Sequence, residues 1–176
     1  MSYGTPIVRG MRRNRRLRDA TGHGPAEGGR TSAYPVKGKF ANGWPAPDSP
    51  ESVRQITDAD VGHIEDGHAF GVGLSGKTEF PRRWNGQTKE RVQAVIDNPQ
   101  RVEPDMDHGE GNALLIGFQD GVMLRVAITK EGEGWQPWFP DTAHPLWGDG
   151  VGWNSPVTGK WEPLETEESY RRRYRV

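Results

Sequence analysis

NALLIGFQDGVMLRVAITK, residues 112–130, is the stretch on which the fold turns. From Val122 it alternates, with Val122, Leu124, Val126 and Ile128 on one side and Met123, Arg125, Ala127 and Thr129 on the other. A period of two belongs to a half-buried strand, because successive side chains point to opposite faces. The apolar run NALLIGF before it is a second strand candidate. Asp120-Gly121 between them is a strong hairpin signal. An antiparallel sheet is therefore expected in the second half of the chain.

Upstream, the pattern changes from strand to helix. ITDADVGHI has an N-cap candidate in Thr57 or Asp58 and predicts a short helix to about Ile64. NGQTKERVQAVIDNP predicts a helix over about 86–97. Val92, Val95 and Ile96 carry the i, i+3, i+4 spacing, and Pro99 stops it. Downstream, GWQPWFP, residues 134–140, is a third strand candidate that Pro137 confines to an edge or a bulge. Residues 141–163, rich in Trp, Gly and Pro, read as packed loops. Helices first and a small curved antiparallel sheet after them make the class α+β. The expected domains are a basic, Gly/Pro-rich arm at 1–51, a folded domain at 52–164 and a charged tail at 165–176. The arm reads as largely disordered, although KGKFANGWPAPDSP can pack on the domain through Phe40 and Trp44.

The composition narrows the possible functions. The 176 residues include 23 Lys or Arg, 24 Asp or Glu and no Cys, for a formal charge of −1. Without cysteine there is no disulfide, thiolate metal site or cysteine nucleophile. No apolar run reaches membrane-span length, and the N-terminus lacks the apolar segment of a secretion signal. The expected location is a cytoplasm, of the producing or a target cell, with delivery in a larger system left open. Charge is uneven: RGMRRNRRLR, residues 9–18, and RRRYRV at the end are basic, while 103–110 is acidic. Basic ends can hold a nucleic-acid backbone or be ordinary solvated tails.

GHAFGVGLSGKTEFP, residues 67–81, matches the phosphate-loop pattern through Gly71, Gly76, Lys77 and Thr78. Such a loop follows a buried strand and opens a helix. HIEDGHAF before it, with two histidines and two carboxylates, is a poor buried strand. Pro81 after it disfavours helix at Phe80. The flanks thus weigh against a nucleotide hydrolase.

A different chemistry fits the same residues. His63 and His68 bracket four residues, and Lys77 follows nine residues after His68. Cleavage of RNA by its own 2′-hydroxyl needs a base for the 2′-proton, an acid for the leaving 5′-oxygen and a cation for the growing phosphate charge. Two histidines and a lysine supply these without a metal or nucleotide cofactor. Each alone is an ordinary surface residue, so the argument rests on the three together. Metal binding by His63, His68 and Asp66, or by His108 with Asp107, is a weaker alternative for want of a diagnostic third ligand. His144 reads as packing against Trp147, and His23 as part of the tail. Most of the crowded tryptophans read as core and loop packing, while Trp138 and Phe139 are the expected base-stacking residues, since Pro137 and Pro140 place them near a strand end.

GHIEDGHAFGVGLSGKTEFPRRW, a helix ending in DNP, and DGVMLRVAITKEGEGWQPWFP together resemble the bacterial EndoU endoribonuclease domain, common as a toxin warhead. The likeness spans about residues 60–140 and is most specific in GKTEFP with the histidines before it. It implies His63, His68 and Lys77 as catalytic residues. His68 is favoured as base. Thr78 and Gly76 join Trp138 and Phe139 as substrate contacts. It implies RNA transesterification to a 2′,3′-cyclic phosphate, a cognate immunity protein as partner and a monomeric chain. The segment between the histidines is shorter than in the family. The family's Thr-x-Tyr-Pro is read at Pro137-Trp138-Phe139-Pro140, where both hydroxyls are missing. That loss motivates a second hypothesis, a catalytically impaired RNA- or protein-binding module.

Overall fold

The computed structural model describes residues 32–131 and 137–174, all within one compact unit, Ser32–Val176. The basic stretch 9–18, His23 and Trp135 lie outside the described residues. The helices are α1, Asp58–His68; α2, Thr88–Asp97; and α3, Glu167–Tyr174. The strands are β1, Thr78–Glu79; β2, Arg101–Pro104; β3, Asn112–Gln119; β4, Val122–Lys130; β5, Trp138–Gly148; β6, Gly152–Asn154; and β7, Trp161–Pro163. They form two antiparallel sheets, ordered β2-β3-β4-β5 and β1-β6-β7, so the class is α+β.

The β3–β4 hairpin closes where the sequence predicts. Gln119 pairs with Val122 across a two-residue turn in which Asp120 and Gly121 have φ of 45° and 79°. Positive φ at both central residues is the turn whose twist matches paired strands. Val122, Leu124 and Val126 are fully buried, with Ala113 and Leu115 of β3 beside them and Val92, Val95 and Ile96 of α2 also sealed from solvent. Full burial stabilises each such aliphatic side chain by about 1.5–3 kcal/mol. Gly117 lets α2 sit close to β3: a Cβ there would lie 3.2 Å from both γ carbons of Val95.

Helix α1 runs one turn beyond the predicted short helix. Thr57 and Asp60 form a reciprocal capping box, with Thr57 N donating to Asp60 Oδ2 at 2.7 Å. At the other end Ile64 and His68, four residues apart, are buried on one face. That packing outweighs the helix cost of Gly67, about 1 kcal/mol. His63 and His68 therefore do not bracket a loop; they belong to one helix.

Strand β5 also departs from expectation. Residues 141–148, read as packed loop, continue the edge strand begun at Trp138. Pro140 and Pro145 are accommodated because the register shifts beside each of them, opposite Ala127/Ile128 and Met123/Leu124. Such bulges are where a strand tolerates proline. The second sheet, too, comes largely from residues read as loop. Residues 32–51 belong to the compact unit rather than to a separate arm, since Tyr34, Phe40 and Ala46 join the core and the Tyr34 hydroxyl donates to the Ile96 carbonyl.

Arg83 ties the two turns at one end of the sheets. It donates to Asp149 O at 2.6 Å and Asp120 O at 2.8 Å. Between them Gly148 has φ of 142°, and a Cβ there would meet Gly121 O at 2.3 Å and Val122 Cα at 2.6 Å. Both obstacles are backbone and cannot step aside. Gly148→Ala is thus expected to destabilise the fold by about 2–3 kcal/mol. Gly62→Ala, in α1 with nothing within 4 Å of the new carbon, should stabilise it by up to about 1 kcal/mol. Urea midpoints of the two variants against the parent check both signs.

Candidate functional site

The glycine-rich loop before β1 is organised by a carboxylate of its own chain. Glu79, buried in β1, accepts from Gly73 N at 2.6 Å, Gly71 N at 3.1 Å and Asn154 Nδ2 at 2.8 Å. Gly76 N donates to Asn154 O at 2.7 Å, and Lys77 N to Leu74 O at 3.1 Å. The N–H groups of Gly71, Gly73, Gly76 and Lys77, which a phosphate loop would offer, are therefore already occupied. Thr78 opens a strand paired with Trp153, not a helix. This overturns the phosphate-loop reading, and it removes Gly76 N–H as a substrate contact. Thr78 is buried, and its carbonyl has a partner in His68.

His68 ends α1 and reaches back to β1, where its Nδ1 lies 2.7 Å from the Thr78 carbonyl oxygen. A carbonyl only accepts, so in the neutral ring Nδ1 carries the proton and Nε2 keeps its lone pair. Phe80 stands edge-on to the ring at 6.3 Å. The His68 imidazole stacks on His144, with centroids 5.3 Å apart and planes 25° from parallel. His144, on β5, pairs across the strands with Arg125 of β4. Directly paired residues share a face, so Arg101, Ile116, Arg125 and His144 form one row across all four strands, on the face opposite the β4 core residues.

Electrostatics single out Arg125. Its Nε is buried and finds no acceptor, and no carboxylate among the described residues stands within ion-pair distance. A buried charged donor without a partner is costly unless a ligand satisfies it. Burial pushes His68 below the ordinary histidine range. Lys77 and Arg125 push the same way, against the Thr78 carbonyl and Glu79, which favour its charged form. His144 is driven well below that range by burial first, then by Arg125, His68 and Lys77. Two tyrosines of α3, Tyr170 and Tyr174, are raised by burial and lowered in part by the same Arg125 charge, Tyr174 to about 12. One unpaired guanidinium thus lies within electrostatic reach of two imidazoles and two phenols.

The other sequence-predicted residues are scattered. Lys77 is exposed beside the stack, close enough for its charge to act on both rings. His63 is exposed on α1 five residues before His68, about 140° around the helix. Trp138 belongs to the core and bridges Val53, so it offers no face to a base. Phe139 is half-buried with the Arg54 guanidinium 5.5 Å from its ring centre, five residues along β5 from His144. His108 is exposed and held by Asp105 Oδ2 at 2.8 Å, which raises it above the ordinary range. Among the described residues no three His, Asp or Glu side chains converge as metal ligands would. None of their helices is long and apolar enough to cross a membrane.

Sequence reasoning passed over Arg125 and read His144 as packing against Trp147, whereas the ring stacks on His68 and Trp147 lies against Phe118. The signal for Arg125 and His144 was an arginine on an otherwise small or apolar strand face, and a histidine in the Thr142-Ala143-His144-Pro145 stretch. No family model, curated protein or solved structure matches the chain.

Two outcomes follow from this geometry. Glu79→Gln turns an amide N–H₂ toward loop donors and should cost about 1–3 kcal/mol; urea unfolding and faster amide exchange at Gly71 and Gly73 check it. The histidine pair sets a pH dependence. Both folded-state pKa values lie below the unfolded value, taken as 6.5. The unfolded chain then binds more protons below pH 6.5, so stability is full above that value and falls as pH drops toward the folded values. His108, raised, works in the opposite direction. Melting temperatures across this window should fall with acidification in the parent and less steeply in His144→Gln.

Proposed function

We propose that the chain is an endoribonuclease that cleaves RNA by transesterification, leaving a 2′,3′-cyclic phosphate. The observation that carries this reading is the His68–His144 stack flanked by Lys77 and the unpaired Arg125. Two imidazoles with two cations within electrostatic reach supply the base, the acid and the countercharge that attack on a phosphodiester requires. His68, with Nδ1–H committed to Thr78, has Nε2 free to take the 2′-proton. The 2′-oxygen forms its bond to phosphorus, the bond to the 5′-oxygen breaks, and the His144 imidazolium gives that oxygen its proton. Lys77 and Arg125 neutralise the crowded phosphate. Burial is the main cause that depresses His144, with Arg125, His68 and Lys77 after it; a bound phosphodiester anion offsets the Arg125 and Lys77 charges and so raises the ring's proton affinity by that part. No metal or nucleotide cofactor enters these steps.

The resemblance to EndoU domains implies His68 and Lys77 in these roles; it implies His63 as the second histidine, where this reading has His144. The EndoU relationship, the toxin role and a cognate immunity protein as partner belong to this proposal. His63 is left without a catalytic part, because it points away from the stack.

The test is incubation with total RNA in EDTA, followed by end-group analysis. Cyclic phosphate ends are expected. His68→Ala and His144→Ala should each lose at least about 100-fold in rate, while His63→Ala stays within a few-fold of the parent. Equal cleavage by His68→Ala and the parent sinks the reading. RNA binding without cleavage would favour the binding module.

A further inference from the structure

Beside the histidine stack, the same face of the four-stranded sheet holds a cavity of about 500 Å³, closed on one side by α3. This is within the size of small-ligand sites, about 300–1,000 Å³. Ile116, Met123 and Leu146 give it an apolar floor, and Trp147 and Tyr170 give it aromatic walls. Its three cations are not equivalent. Arg101 pairs with Glu103 at 3.3 Å, and Arg171 with Glu167 at 2.8 Å. Arg125, which also lines the cavity, is the one lining cation without a carboxylate partner among the described residues. The lining therefore suits a planar apolar ring with a single anion at one end. Inorganic phosphate would leave the aromatic walls unused, and a second phosphate would meet Glu103 or Glu167.

The strand register fixes where that anion would lie. Arg101, Ile116, Arg125 and His144 are consecutive across the sheet, so Arg125, which lines the cavity, is also the cross-strand neighbour of His144. Neighbouring strands are about 4.8 Å apart, which places Arg125 one strand from His144 and two strands from Arg101. A group held by Arg125 can touch the imidazoles on one side while its substituent enters the cavity on the other.

We infer that this cavity is a nucleobase subsite, taking the base of the nucleotide whose phosphate Arg125 holds. Trp147 and Tyr170 supply the ring contacts. The paired Arg101–Glu103 and Arg171–Glu167 offer donors and acceptors to the base edge. The inference rests on the reading of Arg125 as a phosphate ligand, and it names the residues that would set base preference.

Calorimetric titration of the full chain with adenosine 3′-monophosphate, uridine 3′-monophosphate, ribose 5-phosphate and inorganic phosphate tests it. At least one nucleotide should bind about tenfold or more tightly than ribose 5-phosphate, as one aromatic stacking partner can supply. Trp147→Leu and Tyr170→Leu should each lose most of that gain and leave inorganic phosphate binding unchanged. Tyr170 is only partly buried, on a helix with no fully buried residue, so its variant keeps the test open if Trp147→Leu fails to fold. Nucleotides that bind no better than ribose phosphate, or ring variants that bind them like the parent, overturn the subsite even if RNA is cleaved. Ring-dependent nucleotide binding without RNA cleavage upholds the subsite and removes only the nuclease reading.

Discussion

The strict alternation of β4 is the constraint on which the rest depends. Val122, Leu124, Val126 and Ile128 must face the core under α2 because nothing else on the sheet offers as continuous an apolar row. Once they do, the period of two sends Met123, Arg125, Ala127 and Thr129 to the other face. A slip of one residue would put a guanidinium into the apolar core and take four aliphatic chains out of it. The hydrophobic requirement of one face thus places a cation on the other with no separate device to hold it there. The Asp120-Gly121 turn fixes the same register from its end.

The histidine stack is assembled from three directions. Helix α1 brings His68, β5 brings His144, and β1 supplies the carbonyl that sets the His68 tautomer. Each depends on a local solution elsewhere: the Thr57–Asp60 box for the helix, the bulges beside Pro140 and Pro145 for the strand, and the buried Glu79 for the loop that leads into β1. The loop glycines serve the fold by surrounding that carboxylate. Their resemblance to a phosphate cradle arises because a carboxylate and a phosphate ask the same thing of backbone N–H groups.

The parts of the fold that were legible in the sequence were those with strong local periodicity. The hairpin and α2 could be read because alternation, turn chemistry and i, i+3, i+4 spacing act within a few residues. The end of α1 was missed because Gly67 and two histidines look like loop, whereas burial of Ile64 and His68 decides it. The outer strand was missed because Pro140 and Pro145 argue against strand until the bulges are seen. Trp138 looked like a stacking residue because its contact with Val53 lies far away in sequence. The site was half legible for the same reason. His68 and Lys77 lie in one recognisable stretch, but His144 and Arg125 gain meaning only from pairing across strands.

The outer strand has a consequence for how the molecule behaves in company. An edge eleven residues long would ordinarily invite a strand from another chain. Here Pro140 and Pro145 have no amide hydrogen, two bulges interrupt the spacing, and Arg54 N already donates to the carbonyl of Trp138 at 2.8 Å. A visiting strand would find a ladder with broken rungs. The irregularities that hid this strand from a reader of the sequence also hide it from other chains, on a margin of which only Asp141 is exposed.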